Sequence, residues 1–425
     1  MKHLTCLVVL IAFPLAACAE NRAAKGGEHW VSTWATAQQI AADPPPPAWA
    51  RPPVDKPMPP SPILPVPQAL KNQTVRMVVR VSLGGRQIRV QISNAQGRQP
   101  LEVGSAHVAR YRQDSTIARD SDHVLTFGGQ QRLILPPGAI VASDPVDMAI
   151  DPLMELAVSL YIPENSGPVT LHPLGLRTTY IADGDVAGNE SLTGASQNRS
   201  YFWLSSIDVL TSGASTAIVA FGDSITDGFS TTPGAEQAWP ALLAKRLLEQ
   251  KRRPSRAVLN LGISGNRVLR DGAGASALSR FDRDVLSRPG VRWIILLEGI
   301  NDISVSSIPG VASSERIESQ DLIAGLRLLI EKAHLHGIKV MGATILPWEG
   351  VWTFSEEGEA TRQAVNQWIR SSGAFDAIVD FDAVTRDNAR PKRLRPQFDS
   401  GDHVHPNDAG NRAMADAVDI SRLIR

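Results

Sequence analysis

Cysteine is almost absent from this chain of 425 residues, which contains only Cys6 and Cys18. Both lie in or beside an apolar N-terminal stretch typical of a secretory signal, so we expect no disulfide, zinc–thiolate cluster or cysteine nucleophile in the mature fold. A net charge is also lacking, because 43 basic residues balance 43 acidic ones. Without a global field that attracts polyanions, nucleic acid is not expected as a partner.

The apolar run at the N-terminus, residues 4–17, is too short to span a membrane. Together with the small residues that follow, it predicts a signal peptide over residues 1–19. Its end resembles the bacterial lipobox, which implies a lipidated Cys18, a membrane tether and a lipoprotein of the periplasm or outer membrane. Ala17-Cys18-Ala19 also fits ordinary cleavage before Glu20, which would give a secreted protein.

The first half of the chain is rich in prolines and in short β-like runs. At 43% hydrophobic residues the chain can bury a large core, and its length favours two domains. Residues 28–199 predict a β-sandwich-like domain, because short apolar runs are separated by Gly, Pro, Asn and Asp clusters. Within it, residues 42–68 are a proline-rich insertion, and residues 74–92 with the central Gly84-Gly85 predict a β-hairpin.

The pattern changes in residues 200–425, where buried apolar runs alternate with amphipathic helical stretches. This alternation predicts a doubly wound α/β domain whose ligand site lies at the carboxyl ends of parallel strands. The predicted strands are residues 217–221, 257–261, 293–297, 338–345 and 377–381. Polar residues directly after these strands are therefore candidates for a functional site.

Ser224 follows the first of these strands by three residues, in the run Gly222-Asp223-Ser224-Ile225-Thr226. Gly222 permits a sharp turn, and the N-terminus of the next helix favours negative charge on a substrate oxygen. Ser224 is thus a candidate nucleophile. A serine at such a point also serves as an ordinary helix cap, and the pentapeptide alone leaves both interpretations open.

Two further segments follow the second and third strands. Gly265, in Gly262-Ile263-Ser264-Gly265-Asn266, can offer a backbone N–H to a developing oxyanion. The side-chain amide of Asn301, in Glu298-Gly299-Ile300-Asn301-Asp302, can donate to the same oxygen. Each segment alone is equally consistent with a simple turn.

The last candidate segment is Asp402-His403-Val404-His405-Pro406, near the C-terminus. His405 can take the serine proton as general base and return it to the leaving group, while Asp402 can hold the imidazolium. His403 is the competing histidine. The two histidines and Asp402 could instead bind a metal, although no further histidine or cysteine cluster supports such a site.

Together, these four segments resemble the sequence blocks of the SGNH hydrolases, also called GDSL esterases and lipases, and they occur in the expected chain order. The resemblance implies a catalytic triad of Ser224, Asp402 and His405. It implies an oxyanion hole formed by Ser224, Gly265 and Asn301. It also implies a flavodoxin-like, three-layer parallel sheet, here preceded by the β-sandwich domain.

Two departures from known patterns accompany this resemblance. Ile225 stands where the GDSL group has leucine, a conservative change. Thr226 stands where the Gly-x-Ser-x-Gly elbow has its second glycine, which disfavours the α/β-hydrolase fold.

The N-terminal half, with Ser82-Leu83-Gly84-Gly85, resembles the module that precedes this domain in one bacterial subgroup.

The function implied by the resemblance is a serine esterase that needs no cofactor and acts on small-molecule or glycan esters with short acyl or acetyl groups. Two alternatives stay open: a cell-surface carbohydrate-binding protein with a vestigial hydrolase domain, and an O-acyltransferase. Residues 346–358 could form a lid or pocket wall. Four aromatic residues in loops could line a pocket or simply pack locally, namely Trp49, Trp348, Trp352 and Phe354.

Overall fold

A computed structural model describes residues 27–40, 61–250 and 255–424. The predicted signal peptide with Cys18, and residues 42–60 of the proline-rich insertion, lie outside these ranges. The rest of that insertion, residues 61–68, contains no helix or strand. No helix within the described ranges is long and apolar enough to cross a membrane.

The N-terminal half consists of antiparallel strands. They are β1 (His29–Ala35), β2 (Gln39–Ile40), β3 (Gln73–Arg80), β4 (Gln87–Ser93), β5 (Leu101–Val103), β6 (Ser105–Gln113), β7 (Thr116–Ile117), β8 (His123–Val124), β9 (Leu133–Leu135), β10 (Ile140–Ala142), β11 (Glu155–Ile162), β12 (Thr170–His172), β13 (Thr179–Asp183), β14 (Ser196–Asn198), β15 (Tyr201–Phe202) and β16 (Leu204–Thr211). One main sheet has the order β1-β16-β4-β10, and the other has the order β14-β13-β3-β11-β6-β7 with β8 beside β6. Two small sheets, β15-β12-β2 and β5-β9, complete this half.

The two main sheets pack against each other through alternating apolar residues. On β4, Ile88, Val90 and Ile92 are buried, while the polar residues between them are half-exposed. These side chains belong to the same core as Val158 of β11, in the opposite sheet. This arrangement is the predicted β-sandwich.

The predicted β-hairpin over residues 74–92 is wrong, because β3 and β4 lie in different sheets. β3 pairs with β11 and β13, whereas β4 pairs with β16 and β10. The glycines between them permit close backbone approach instead of a tight turn. A Cβ at Gly84 would lie 2.5 Å from the Ile150 carbonyl oxygen, and one at Gly85 would lie 2.6 Å from that of Leu210.

The C-terminal half is a parallel sheet with helices. Its strands are β17 (Thr216–Gly222), β18 (Arg256–Gly262), β19 (Val291–Leu297), β20 (Lys339–Ala343) and β21 (Ala377–Val379). Its α-helices are α1 (Ser224–Asp227), α2 (Trp239–Leu248), α3 (Ala277–Phe281), α4 (Ile300–Ser306), α5 (Ser319–Leu335), α6 (Glu356–Ser371), α7 (Phe381–Thr385), α8 (Asp408–Ala417) and α9 (Ile420–Leu423). A π-helix (Asp282–Leu286) continues α3, and a 3-10 helix (Ser313–Glu315) precedes α5. The strand order β18-β17-β19-β20-β21 is the flavodoxin-like order, which confirms the predicted fold class.

Three neighbouring strands of this sheet end level with one another. Gly222 at the end of β17 pairs with Gly262 of β18 and with Leu297 of β19. The segments that follow these strands therefore meet at one edge of the sheet, where doubly wound folds place their ligands.

The change from antiparallel to parallel pairing comes later in the chain than the predicted boundary at residue 200. β16 pairs with β1 and β4 and so belongs to the sandwich. The boundary therefore falls between Thr211 and Thr216. Buried strands of antiparallel and parallel sheets both appear in sequence as apolar runs. The hydrophobic pattern alone therefore does not show that β16 belongs to the sandwich and β17 to the parallel sheet.

Candidate active site

The nucleophile candidate lies on a sharp turn between a strand and a helix. β17 ends at Gly222 and α1 begins at Ser224, and the Asp223 carboxylate accepts the Ile225 N–H at 2.9 Å as the helix cap. A Cβ at Gly222 would lie 2.4 Å from the Leu297 carbonyl oxygen, so the turn needs glycine there. Because Ser224 is the first helical residue, its own N–H has no acceptor within the helix.

A histidine and an aspartate lie in line with this serine. His405 Nε2 is 2.7 Å from Ser224 Oγ, and His405 Nδ1 is 2.6 Å from Asp402 Oδ2. Since a carboxylate only accepts hydrogen bonds, Nδ1 carries the proton and Nε2 can accept the Ser224 hydroxyl proton. The arrangement has the geometry of a Ser–His–Asp triad.

Asp402 is held by the loop that also carries His405. Its Oδ1 accepts the backbone N–H groups of Val404 at 3.0 Å and of His405 at 2.8 Å. Burial alone would raise the pKa of Asp402, but the hydrogen bonds from His405 and the backbone outweigh burial and lower the pKa to about 2. Asp402 is therefore ionised at neutral pH and can stabilise an imidazolium.

The competing histidine, His403, points elsewhere. Its Nδ1 lies 2.7 Å from Asp399 Oδ2, and its ring packs against Gly350, where a Cβ would come within 2.7 Å of the ring. The described ranges contain no group of three or more histidine, cysteine, aspartate or glutamate side chains that could hold a metal. His403 and His405 thus belong to two separate Asp–His pairs.

The two other oxyanion candidates lie in the segments after β18 and β19. Gly265 adopts a left-handed backbone with φ of 81°, and among the described residues its N–H has no hydrogen-bond acceptor. Asn301 lies in the first turn of α4, and its Nδ2 donates to the Asn266 carbonyl oxygen at 2.9 Å. A primary amide has two N–H groups, so the second remains available to a substrate oxygen.

A buried arginine joins the strand ends that carry these segments. Arg280 donates to the carbonyl oxygens of Gly222 at 2.9 Å and Leu261 at 2.8 Å, and to Asn266 Oδ1 at 2.8 Å. Its guanidinium also lies over the Phe221 ring, 3.9 Å from the centroid. Arg280 therefore fixes the nucleophile turn relative to the segment that contains Gly265.

Three buried acids lie around the same strand ends. Burial raises the pKa of Asp223 to about 7 and that of Asp302 to about 6, and it raises the pKa of Glu298 well above its usual 4.5. Asp302 accepts the backbone N–H groups of Val268 and Leu269, at 2.8 and 3.1 Å. It thus ties α4 to the chain beyond Asn266.

Three residues of the site have no clear signal in the sequence. The Phe229 ring lies against His405, with ring centroids 4.4 Å apart. Asp227, the last residue of α1, is paired with His172 of the sandwich at 2.9 Å. Phe229 and Asp227 could have been suspected only from their closeness to Ser224, and nothing in the sequence around His172 marks it.

The segment over residues 346–358 lies next to the catalytic loop through the contact of Gly350 with His403. Trp348 is fully buried, packs against Phe354 and donates to Glu359 at 3.2 Å, so it packs locally. Trp352 is half-buried, and Trp49 lies outside the described residues.

Comparison with known proteins identifies one family. Residues 220–413 match the model of the GDSL-like lipase/acylhydrolase family. A GDSL-like lipase from Bacteroides thetaiotaomicron is 20% identical, over 49% of this chain and 88% of that one, with a TM-score of 0.37. An acetylxylan esterase from Geobacillus stearothermophilus is 22% identical, over 48% of this chain and 91% of that one, with a TM-score of 0.38.

A search of curated proteins finds no significant match. The family match spans every candidate site residue of the α/β half, from Ser224 to His405. The similarity to the GDSL-like lipase/acylhydrolase family therefore lies in the α/β half of this chain, over residues 220–413.

Proposed function

We propose that this protein hydrolyses carboxylic esters through a covalent acyl-enzyme on Ser224. The observation that carries the proposal is the unbroken line of hydrogen bonds from Ser224 Oγ through His405 to Asp402, at 2.7 and 2.6 Å. A serine is a weak nucleophile unless a base takes its proton, and His405 is placed to do so.

The proposed reaction has two halves. Ser224 Oγ attacks the ester carbonyl while His405 takes its proton, and His405 then gives that proton to the leaving alcohol. Water then attacks the acyl carbonyl while His405 takes its proton, and His405 returns this proton to Ser224 Oγ as the bond to the acyl group breaks and the carboxylic acid leaves. The negative oxygen of each tetrahedral intermediate is stabilised by the N–H groups of Ser224 and Gly265 and by the Asn301 amide.

The acyl group is proposed to be short, with acetyl as the smallest case. Ser224 and His405 are only 6% and 7% exposed, and Phe229 covers one face of the His405 ring. A confined approach of this kind favours small acyl groups over long chains. Trp352 is half-buried and lies two residues after Gly350, which packs against His403 of the catalytic loop, and an aromatic residue near this loop supports a sugar as the alcohol part.

The test of the proposed function compares Ser224→Ala with Ser371→Ala, whose hydroxyl lies on the exposed surface of α6. Ser224→Ala should lower kcat for nitrophenyl acetate by about five to six powers of ten and abolish labelling by a fluorophosphonate probe. Ser371→Ala should match the wild type in both assays. Full hydrolysis by the Ser224→Ala protein refutes the proposal, and an unlabelled wild type points to a vestigial domain.

Substrate preference is tested with nitrophenyl esters of increasing chain length beside acetylated xylan and related glycans. We expect the highest kcat/KM for acetyl esters and release of acetate from the glycans. Transfer of the acyl group to an added sugar, in place of release, would identify an O-acyltransferase.

A further inference from the structure

His172 connects the β-sandwich directly to the nucleophile turn. It is the last residue of β12, yet its Nε2 lies 2.9 Å from Oδ1 of Asp227, the last residue of α1. The two side chains are each 4% exposed. A buried charged pair therefore bridges the two halves of the molecule three residues after Ser224.

The surroundings of the His172 ring determine its protonation. Nδ1 lies 2.7 Å from the Ala37 carbonyl oxygen, and Nε2 faces both Asp227 and the Leu174 carbonyl oxygen, at 2.9 and 3.2 Å. All three partners only accept hydrogen bonds, so both ring nitrogens must carry a proton. Burial alone would lower the pKa of His172, but Asp227 and the two carbonyl groups outweigh burial and raise it.

The second oxygen of Asp227 reaches the segment that carries Gly265. Asp227 Oδ2 accepts the Ser264 N–H at 3.0 Å and the Ser264 hydroxyl at 2.7 Å. The end of α1 also packs tightly against the end of β18, because a Cβ at Gly262 would lie 2.3 Å from the Asp227 backbone nitrogen. Asp227 thus fixes the distance between α1, which begins with Ser224, and the residue directly before Gly265.

We propose that His172 is a positioning residue for the oxyanion hole: as an imidazolium it orients Asp227, which holds Ser264 and thereby aims the Gly265 N–H at the substrate oxygen. The inference rests on the proposed esterase function and extends it to the sandwich. The β-sandwich then completes the catalytic site of the α/β half. Its contribution is a charge and a hydrogen bond, supplied from outside the matched family domain.

Other ionisable groups near this pair line a cavity of about 120 Å³ between the two halves: Arg80, Arg177, Tyr201 and Glu236. Arg177 pairs with Glu155 at 2.6 Å and with Glu236 at 3.4 Å, so these charges are matched among themselves. Burial raises the pKa of Tyr201 far above its usual value, which keeps its hydroxyl neutral. Asp227 is therefore the carboxylate that accepts the hydrogen bond from His172 Nε2.

The experiment measures kcat and KM for nitrophenyl acetate in His172→Met and His172→Gln. Met removes both hydrogen-bond donors, and we expect kcat to fall by about 10- to 100-fold with KM within about 3-fold, because a misaimed oxyanion donor acts on the transition state. Gln retains an amide N–H that can reach Asp227, so it should recover part of kcat. The phosphonylation rate of Ser224 should follow kcat.

The pH dependence adds a second measurement. The positioning effect is present while His172 is protonated and is lost as pH rises through its raised pKa, so wild-type kcat should decline at alkaline pH. His172→Gln cannot lose this proton and should lack that decline. An identical alkaline profile in both proteins would overturn the role assigned to the imidazolium.

The matched control is Ser82→Ala. Ser82 is also buried at the boundary between the halves. Its hydroxyl donates to the Thr33 carbonyl oxygen at 2.6 Å and exchanges hydrogen bonds with the backbone of Val258, and neither partner belongs to α1. This variant should lose stability but keep kcat. Wild-type kcat in a folded His172→Met protein would overturn the proposal.

Should His172→Met fail to fold, Ser264→Ala tests the same connection from the α/β half. It removes the hydroxyl bond to Asp227, and kcat should fall by about 3- to 10-fold with KM unchanged. Unchanged kcat in this variant would equally overturn the proposal. Inactivity of the wild type would instead refute the esterase function itself.

Discussion

The catalytic loop carries two Asp–His pairs that differ mainly in what the histidine touches. His405 reaches Ser224 Oγ, whereas His403 packs against Gly350. Each aspartate accepts two backbone N–H groups of the loop: Asp402 from Val404 and His405, and Asp399 from Gly401 and His403. The two carboxylates therefore hold the loop in similar ways, and only the histidine paired with Asp402 contacts Ser224, the proposed nucleophile.

This difference predicts unequal effects of the same substitution. Asp402→Asn should lower kcat for nitrophenyl acetate by about 10⁴-fold, because an amide no longer holds the imidazole in the tautomer that accepts the serine proton. Asp399→Asn should stay within a few-fold of the wild type. Equal losses in the two variants would mean that the carboxylates serve only the fold of the loop.

At this scale the sequence identifies residues that lie inside recognisable segments. Ser224, Asp402 and His405 follow from the order of four short motifs along the chain. His172 does not, because its partner Asp227 is 55 positions away and a histidine at the end of a short strand has no periodic or motif signal. The sequence also gives no signal for Phe229, because the contact of its ring with His405 depends on the path of the loop after α1.

At the scale of elements, the ends of β17, β18 and β19 bring ionisable groups together in the buried interior. Among the described residues, neither carboxylate oxygen of Glu298, directly after β19, has a hydrogen-bond partner, and the Arg280 guanidinium is 3.5 Å away. Burial, followed by the nearby charge of Asp223, raises the pKa of Glu298 well above its usual 4.5. Glu298 therefore keeps its proton in the folded protein at pH values where the unfolded chain releases it.

This retained proton predicts a specific pH dependence of stability. The wild-type free energy of unfolding should decline as pH rises above about 4.5, by up to ~1.4 kcal/mol per pH unit from this group, until the folded pKa is reached. Glu298→Gln has the shape of the protonated acid and no proton to lose, so the decline should be shallower. Urea denaturation at pH 5 and pH 8 measures the free energy of unfolding of both proteins. An equal change between the two pH values in wild type and Glu298→Gln would contradict the prediction.

The elements themselves differ in how far sequence predicts them. The parallel strands are continuous apolar runs because helices cover both faces, and strand–helix alternation predicts a doubly wound sheet. The flavodoxin-like order is implied only by the resemblance to the SGNH hydrolases. Several of the antiparallel strands can be recognised as short apolar runs, but their pairing cannot. The Gly84-Gly85 pair looks like a hairpin turn in sequence, and only the closeness of the Ile150 and Leu210 backbones explains the glycines.

For the whole molecule, the decisive feature is that the sandwich and the α/β half share one hydrophobic core. Val31 of β1 and Val258 of β18 belong to the same cluster of buried residues. Backbone and side-chain hydrogen bonds also cross the boundary, from Ser32 to the Pro289 carbonyl oxygen and from Arg288 to Ser205. The change of sequence pattern at residue 200 therefore does not mark a break in the packing, because the hydrophobic core continues from one half into the other.

A shared core predicts that the two halves unfold together. Independent domains would each unfold at their own urea midpoint. In one cooperative unit, β4 and β19 become exposed at the same urea concentration, because each sheet needs the other to keep its apolar face buried. Pulsed hydrogen exchange with mass spectrometry can follow peptides of both strands in one sample. Ser82→Ala removes hydrogen bonds to Val258 across the boundary and to Thr33 within the sandwich, and in one cooperative unit it should lower both midpoints equally. Two separated midpoints would show that the sandwich folds independently of the domain it helps to complete.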